Sequence, residues 1–111
     1  MHRKKRTKKQ ISLSRLSSHQ IMSILEKHRL DIRKYNVKKL GLFGSFAKDT
    51  AHSKSDIDFL VQLKEPTFDA YMNLRFLLEK MFHRKVDLVL EDALKKRMLY
   101  IKKEALYVKG L

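Results

Sequence analysis

The chain has 111 residues, 43% of them hydrophobic, and no cysteine. That is enough for one domain with one core, and it excludes disulfides, thiolate metal sites and a cysteine nucleophile. Lys and Arg number 26 against 12 Asp and Glu, a formal net charge of +14, so polyanions are favoured partners: nucleic acid, nucleotides or an acidic protein surface.

The first ten residues, MHRKKRTKKQ, hold six cations and no acid. No apolar stretch follows them, so a secretory signal is not expected. Residues 1–12 read as a disordered basic arm, and residues 13–111 as the folded domain. Without the six cations the chain still carries 20 Lys and Arg against 12 acids. Ser17-Ser18-His19-Gln20 has the spacing of a capping box. Behind it Ile21, Ile24, Leu25 and Ile32 form a helical stripe interrupted by His28, which reads as a partly buried core histidine.

Val37 to Phe43 reads as a strand ended by Gly41 and Gly44. Asp56 to Gln62 reads as a second, with Ile57, Phe59 and Val61 on one face and Asp56, Asp58 and Leu60 on the other. Pro66 stops it. Thr67 to Phe82 is expected to be a helix, with Tyr71, Leu74, Leu77, Leu78 and Met81 at helical spacing. Lys85 to Leu90 is a third strand, with Asp87 facing away from its apolar side. Asp92 then caps an expected last helix carrying Leu94, Met98, Ile101, Ala105 and Val108, closed by Gly110. The order is that of a small mixed α/β domain whose helices cover mainly one face of a sheet. No apolar run is long enough to cross a membrane, and the absence of cysteine fits a reducing cytoplasm.

The chemistry concentrates in two of these strands. On a strand, residues i and i+2 point the same way, so Asp56 and Asp58 project together about 6–7 Å apart. Carboxylates this close repel unless a cation sits between them. A hard divalent ion such as Mg²⁺ or Mn²⁺ suits such oxygen-only ligands and is commonly shared with nucleotide phosphates. Asp87 is a third lone acid in an apolar strand. If the strands pair, three carboxylates converge, able to hold metal and to take a proton from an attacking hydroxyl. Gly44 lets the backbone approach a ligand closely, and Ser45 can open a short helix whose N–H groups meet a phosphate.

Gly44-Ser45-x-Ala47 followed by Ser55-Asp56-Ile57-Asp58 resembles the DNA polymerase β-type nucleotidyltransferase superfamily. More narrowly, it is similar to the minimal nucleotidyltransferases, the MNT partners of HEPN toxins. The likeness runs from about Val37 to Val108 and includes the Val86 to Val89 strand and the closing Ile101 to Val108 segment. It implies a polymerase β-like fold, with Gly44 and Ser45 binding the triphosphate. It makes Asp56 and Asp58 the metal ligands and Asp87 the third catalytic carboxylate. Family members often carry a glycine where this chain has Asp49.

The resemblance also implies an antitoxin that uses ATP to transfer AMP to a tyrosine of a HEPN-type toxin. Two other readings stay open: an antitoxin that acts by binding alone, and a nucleic-acid-binding module using the basic arm. The latter lacks any base-reading motif.

Overall fold

Ser17 sets where the first helix starts in the computed structural model, which describes residues 16–111. Its Oγ accepts from the Gln20 N–H at 3.1 Å, and its own N–H donates to Gln20 Oε1 at 2.9 Å. This reciprocal pair is the expected capping box. The arm expected over residues 1–12 lies outside the described residues. Helix α1 (Ser18–Lys27) buries Ile21 and Leu25. The chain breaks at His28 and resumes as the one-turn α2 (Arg29–Arg33), which buries Ile32. The His28 side chain is 43% exposed and faces Asp31 with Nδ1 3.9 Å from Oδ2. It is partly buried, as expected, but lies outside the core cluster.

Strand β1 (Val37–Phe43), the four-residue helix α3 (Gly44–Ala47) and strand β2 (Ile57–Leu63) follow. Next come helix α4 (Phe68–Phe82) and strand β3 (Val86–Leu90). Thr67 caps α4, its side chain accepting from the Ala70 N–H at 3.1 Å, and His83 ends it in the left-handed region at φ 52°. β1 and β2 are antiparallel, whereas β2 and β3 are parallel. A parallel pair needs a long crossover, and α4 supplies it. Period-two alternation puts Leu40 and Leu42 of β1, Phe59 and Val61 of β2 and Leu88 of β3 into one core with Leu25, Leu74 and Leu78. The Phe59 and Phe82 rings meet there, centroids 5.9 Å apart. The α/β class and the mixed sheet are as expected.

The C-terminal third departs from expectation. In place of one helix from Asp92, the chain makes two 3-10 turns, Glu91–Ala93 and Lys96–Met98. A short helix α5 (Tyr100–Glu104) and a two-residue strand β4 (Leu106–Tyr107) follow. The sheet therefore has four strands in the order β3-β2-β1-β4. Asp92 sits inside a turn and caps no helix, and Gly110 closes none. The spacing of Leu94, Met98, Ile101, Ala105 and Val108 suggests one stripe, yet Met98 is 38% exposed while Ile101 and Val108 are buried.

Two long-range contacts decide the outcome. Gly41 is the first, because a Cβ there would lie 3.0 Å from the Tyr107 ring; the missing side chain is what admits β4 beside β1. Glu91 is the second. It is buried, accepts from Tyr107 O–H at 3.2 Å and has Lys102 Nζ 3.5 Å from its other oxygen. That bond ties the residue after β3 to β4, joining the two outer strands.

Removing one partner of a buried carboxylate leaves its desolvation uncompensated, at roughly 1–3 kcal/mol. Tyr107→Phe should therefore lower the unfolding free energy by about that amount in urea titration. A change below a few tenths of a kcal/mol would show that Lys102 and solvent already satisfy Glu91.

Candidate active site

The parallel register of β2 and β3 sets Asp58 beside Asp87, with Ile57 beside Val86 and Phe59 beside Leu88. Since neighbours in register share a face, the two carboxyls stand together on the side opposite the core. Asp56 lies just ahead of β2, which begins at Ile57 and not at Asp56 as expected. Asp58 is half-buried, and Asp56 and Asp87 are exposed. Burial pushes the Asp58 carboxyl up to about 6; the charges of Asp87 and then Asp56, and a hydrogen bond with Asp87, add to the effect.

Gly44 meets this group from above. Phe43 pairs with Asp58 across β1 and β2, so the chain leaves the sheet directly over the acid. A Cβ at position 44 would fall 2.2 Å from Asp58 Oδ2, and Gly44 has φ +75°. Only glycine combines that backbone conformation with that approach. Ser45 follows, half-buried, in α3, which has no side-chain cap. Phe46 anchors α3 in the core, and the Thr50 N–H closes the loop onto the Ser45 carbonyl at 2.9 Å.

Two polar residues outside the expected set hold this loop. The Arg84 guanidinium donates to the Ser53 carbonyl at 2.5 Å and the Ser55 carbonyl at 3.2 Å. It also lies 5.2 Å from the Phe46 ring centroid, so one side chain ties the segment before Asp56 to α3. Asp49 has φ 56°, a left-handed position where glycine is the easy choice and Asp is tolerated. Its carboxylate accepts from the Ser18 N–H at 2.7 Å and the Ser18 hydroxyl at 2.8 Å. Those bonds, the backbone one foremost, hold it below the usual carboxylate range. The acid that replaces the family's frequent glycine is thus engaged with α1.

On the far side of Gly44 a cleft of about 150 Å³ runs between α3 and α5, lined by Phe43, Gly44, Lys48, Tyr100, Ile101 and Glu104. Nothing in the residue pattern of the chain marks it.

The donor set suits a hard divalent cation. All three acids offer oxygen only, and the like-charge crowding that raises Asp58 is what such an ion relieves. Among the described residues no three His, Asp or Glu side chains already close round one point. An ion here would need water and phosphate oxygens to complete its shell.

The nucleotidyltransferase-domain profile matches residues 24–108. The chain belongs to that family. It is 34% identical to protein adenylyltransferase MntA of Thermococcus cleftensis over 75% of this chain and 86% of that one. It is 41% identical to a Methanocaldococcus jannaschii chain provisionally named protein adenylyltransferase MJ0128, over 76% of this chain and 86% of that one. A solved structure provisionally described as a minimal nucleotidyltransferase superposes with a TM-score of 0.71 at 26% identity, covering 82% of this chain and 95% of the other. The fold is also that of a toxin–antitoxin crystal structure with AMP-PNP, at a TM-score of 0.62 and 23% identity over 78% of this chain and 73% of that one. This nucleotidyltransferase thus has the polymerase β-like fold that the resemblance implies.

The shifted carboxyl gives the nucleotide-free protein a pH signature. Between the ordinary carboxylate value of 3.8 and about 6, the native state keeps a proton that the unfolded chain has released. Stability from this group therefore falls as pH rises through that window. Asp58→Asn removes the effect, so its melting temperature should exceed wild type at pH 7.5 by a clear margin that shrinks towards pH 4. Scanning calorimetry at both pH values checks it; an equal difference at both would show that Asp58 titrates normally.

Proposed function

We propose that this chain transfers AMP from ATP to a tyrosine hydroxyl of a HEPN-type toxin, acting as that toxin's antitoxin in the cytoplasm. The observation that carries this is the convergence of Asp58 and Asp87 on adjacent strands directly beneath Gly44. It places a charge-bearing acid pair against a loop shaped for close approach. The relative named protein adenylyltransferase supports the reaction class. The toxin and the tyrosine come from the sequence resemblance, since the toxin–antitoxin structure at 23% identity contributes only the fold.

In this reading Gly44 and Ser45 hold the triphosphate, and Asp56 and Asp58 hold the metal, with Asp87 within reach of both metal and acceptor. Bound Mg²⁺ or Mn²⁺ supplies neutralisation of the triphosphate and of the charge that develops on the leaving group. The acceptor oxygen attacks the α-phosphorus, the bond from that phosphorus to the bridging oxygen breaks, and pyrophosphate leaves. The acceptor proton passes to a carboxylate of the cluster, with Asp87, which is exposed, as the base. The partner protein presents its own hydroxyl to the site.

Asp56→Asn and Asp58→Asn should each abolish labelled-AMP transfer and weaken Mg·ATP binding by an order of magnitude or more in calorimetry, because Mg²⁺ holds phosphate through such carboxylates. Nucleotide binding unchanged in both variants would remove the acids from the site. Variants that lose transfer yet still neutralise the toxin would instead favour an antitoxin acting by binding.

The basic arm is separable. Its six cations can neutralise about five or six phosphates, which gives steeply salt-dependent, nonspecific affinity for nucleic acid. Deleting residues 1–10 should reduce filter binding to random DNA or RNA by about tenfold or more while leaving AMP transfer largely intact. Transfer collapsing with the deletion would place the arm in the active machinery.

A further inference from the structure

We propose that the cleft between α3 and α5 is the nucleobase subsite, with Tyr100 as its stacking surface. The inference rests on the nucleotidyl-transfer reading above and extends it to the other end of the nucleotide. The cleft holds about 150 Å³, whereas sites for whole small molecules run to roughly 300–1,000 Å³. It is of a size for part of a ligand, such as one planar ring.

Its walls suit such a ring. Phe43 and the buried Ile101 give an apolar floor, and Tyr100 lines the opening while remaining 56% exposed. An accessible aromatic ring accepts a base face by stacking, whatever the base. Lys48 Nζ and Glu104 Oε1 stand 3.8 Å apart at the rim, with side chains 64% and 52% exposed. An ion pair this open is worth little to stability and yields easily. It offers one donor and one acceptor to the edge of a base.

Position joins the cleft to the chemistry. Gly44 lines the cleft and also abuts Asp58 Oδ2. The acid cluster and the cleft are thus neighbouring compartments divided by one residue without a side chain. A single ligand with an anionic tail and a flat head spans both, and a nucleoside triphosphate is such a ligand.

The test separates head from tail. Mg·ATP and Mg·tripolyphosphate are titrated calorimetrically into the full chain and its Tyr100 variants. Tyr100→Ala should weaken ATP binding roughly tenfold, the scale of one lost base–aromatic stack, and leave tripolyphosphate within about twofold; Tyr100→Phe should retain both. The chain contains no tryptophan, so Tyr100→Trp adds a single reporter, whose fluorescence ATP should quench and tripolyphosphate should not. ATP affinity unchanged in Tyr100→Ala overturns the assignment. If AMP transfer is nevertheless lost in that variant, the cleft takes the acceptor side chain instead. A wild-type chain that binds neither ligand overturns the nucleotidyl-transfer reading itself.

Discussion

The contact between the Gly44 backbone and the Asp58 carboxylate is the constraint on which the rest of the site depends. Asp58 needs a position on β2 that faces away from the core, and pairing with Phe43 on β1 brings the chain exit directly over it. Any side chain at 44 would occupy the space of Oδ2. The glycine is therefore required twice, by its φ and by what lies beneath it. The consequence is electrostatic as much as steric. Covering Asp58 with backbone removes water from a carboxyl that already faces Asp87, and the result is an acid raised to about 6. The fold thus holds two like charges together at some loss of stability, a loss that a cation and a triphosphate would reverse on binding.

Keeping that arrangement in register takes long-range ties. β2 and β3 are parallel, so nothing local fixes their relative height; α4 must return the chain to the right level. Two of its side chains, one near each end, assist. Tyr71 O–H donates to the Leu88 carbonyl at 2.6 Å, and Glu79 accepts from the Val86 N–H at 3.1 Å. Both lock β3 against the helix one residue either side of Asp87. Arg84 then links the start of β3 to the loop before Asp56 and to Phe46. The three acids and the glycine loop are set by one connected framework, which is how separate segments can be held to the tolerance that a shared ligand demands.

What could be read from the sequence follows from the range of the forces involved. β1, β2, β3 and α4 announce themselves because period-two and period-3.6 burial are local patterns, and the capping box at Ser17 is complete within four residues. The facing of Asp58 and Asp87 was legible for the same reason. β4 was not, because two residues carry no period. Its existence turns on room beside Gly41 and on a donor for Glu91, contacts made across 66 and 16 positions of chain. Asp49 stands out from sequence only as an acid where family members often carry glycine, because its partner Ser18 lies 31 residues away. Arg84 had no signal beyond being one cation among many.

The same C-terminal segment that defeated the helical pattern gives the domain its second compartment. A continuous helix from Asp92 would have run past the sheet and needed a full apolar stripe to stay there. Broken into turns, a five-residue helix and a strand, it folds back along β1 instead. The antiparallel pairing of Leu106 with Leu42 then brings Glu104 to the level of Gly44, within reach of Lys48. Tyr100, Ile101 and Glu104 supply one wall of the cleft, and Met98, Leu99 and Tyr100 stay exposed along it.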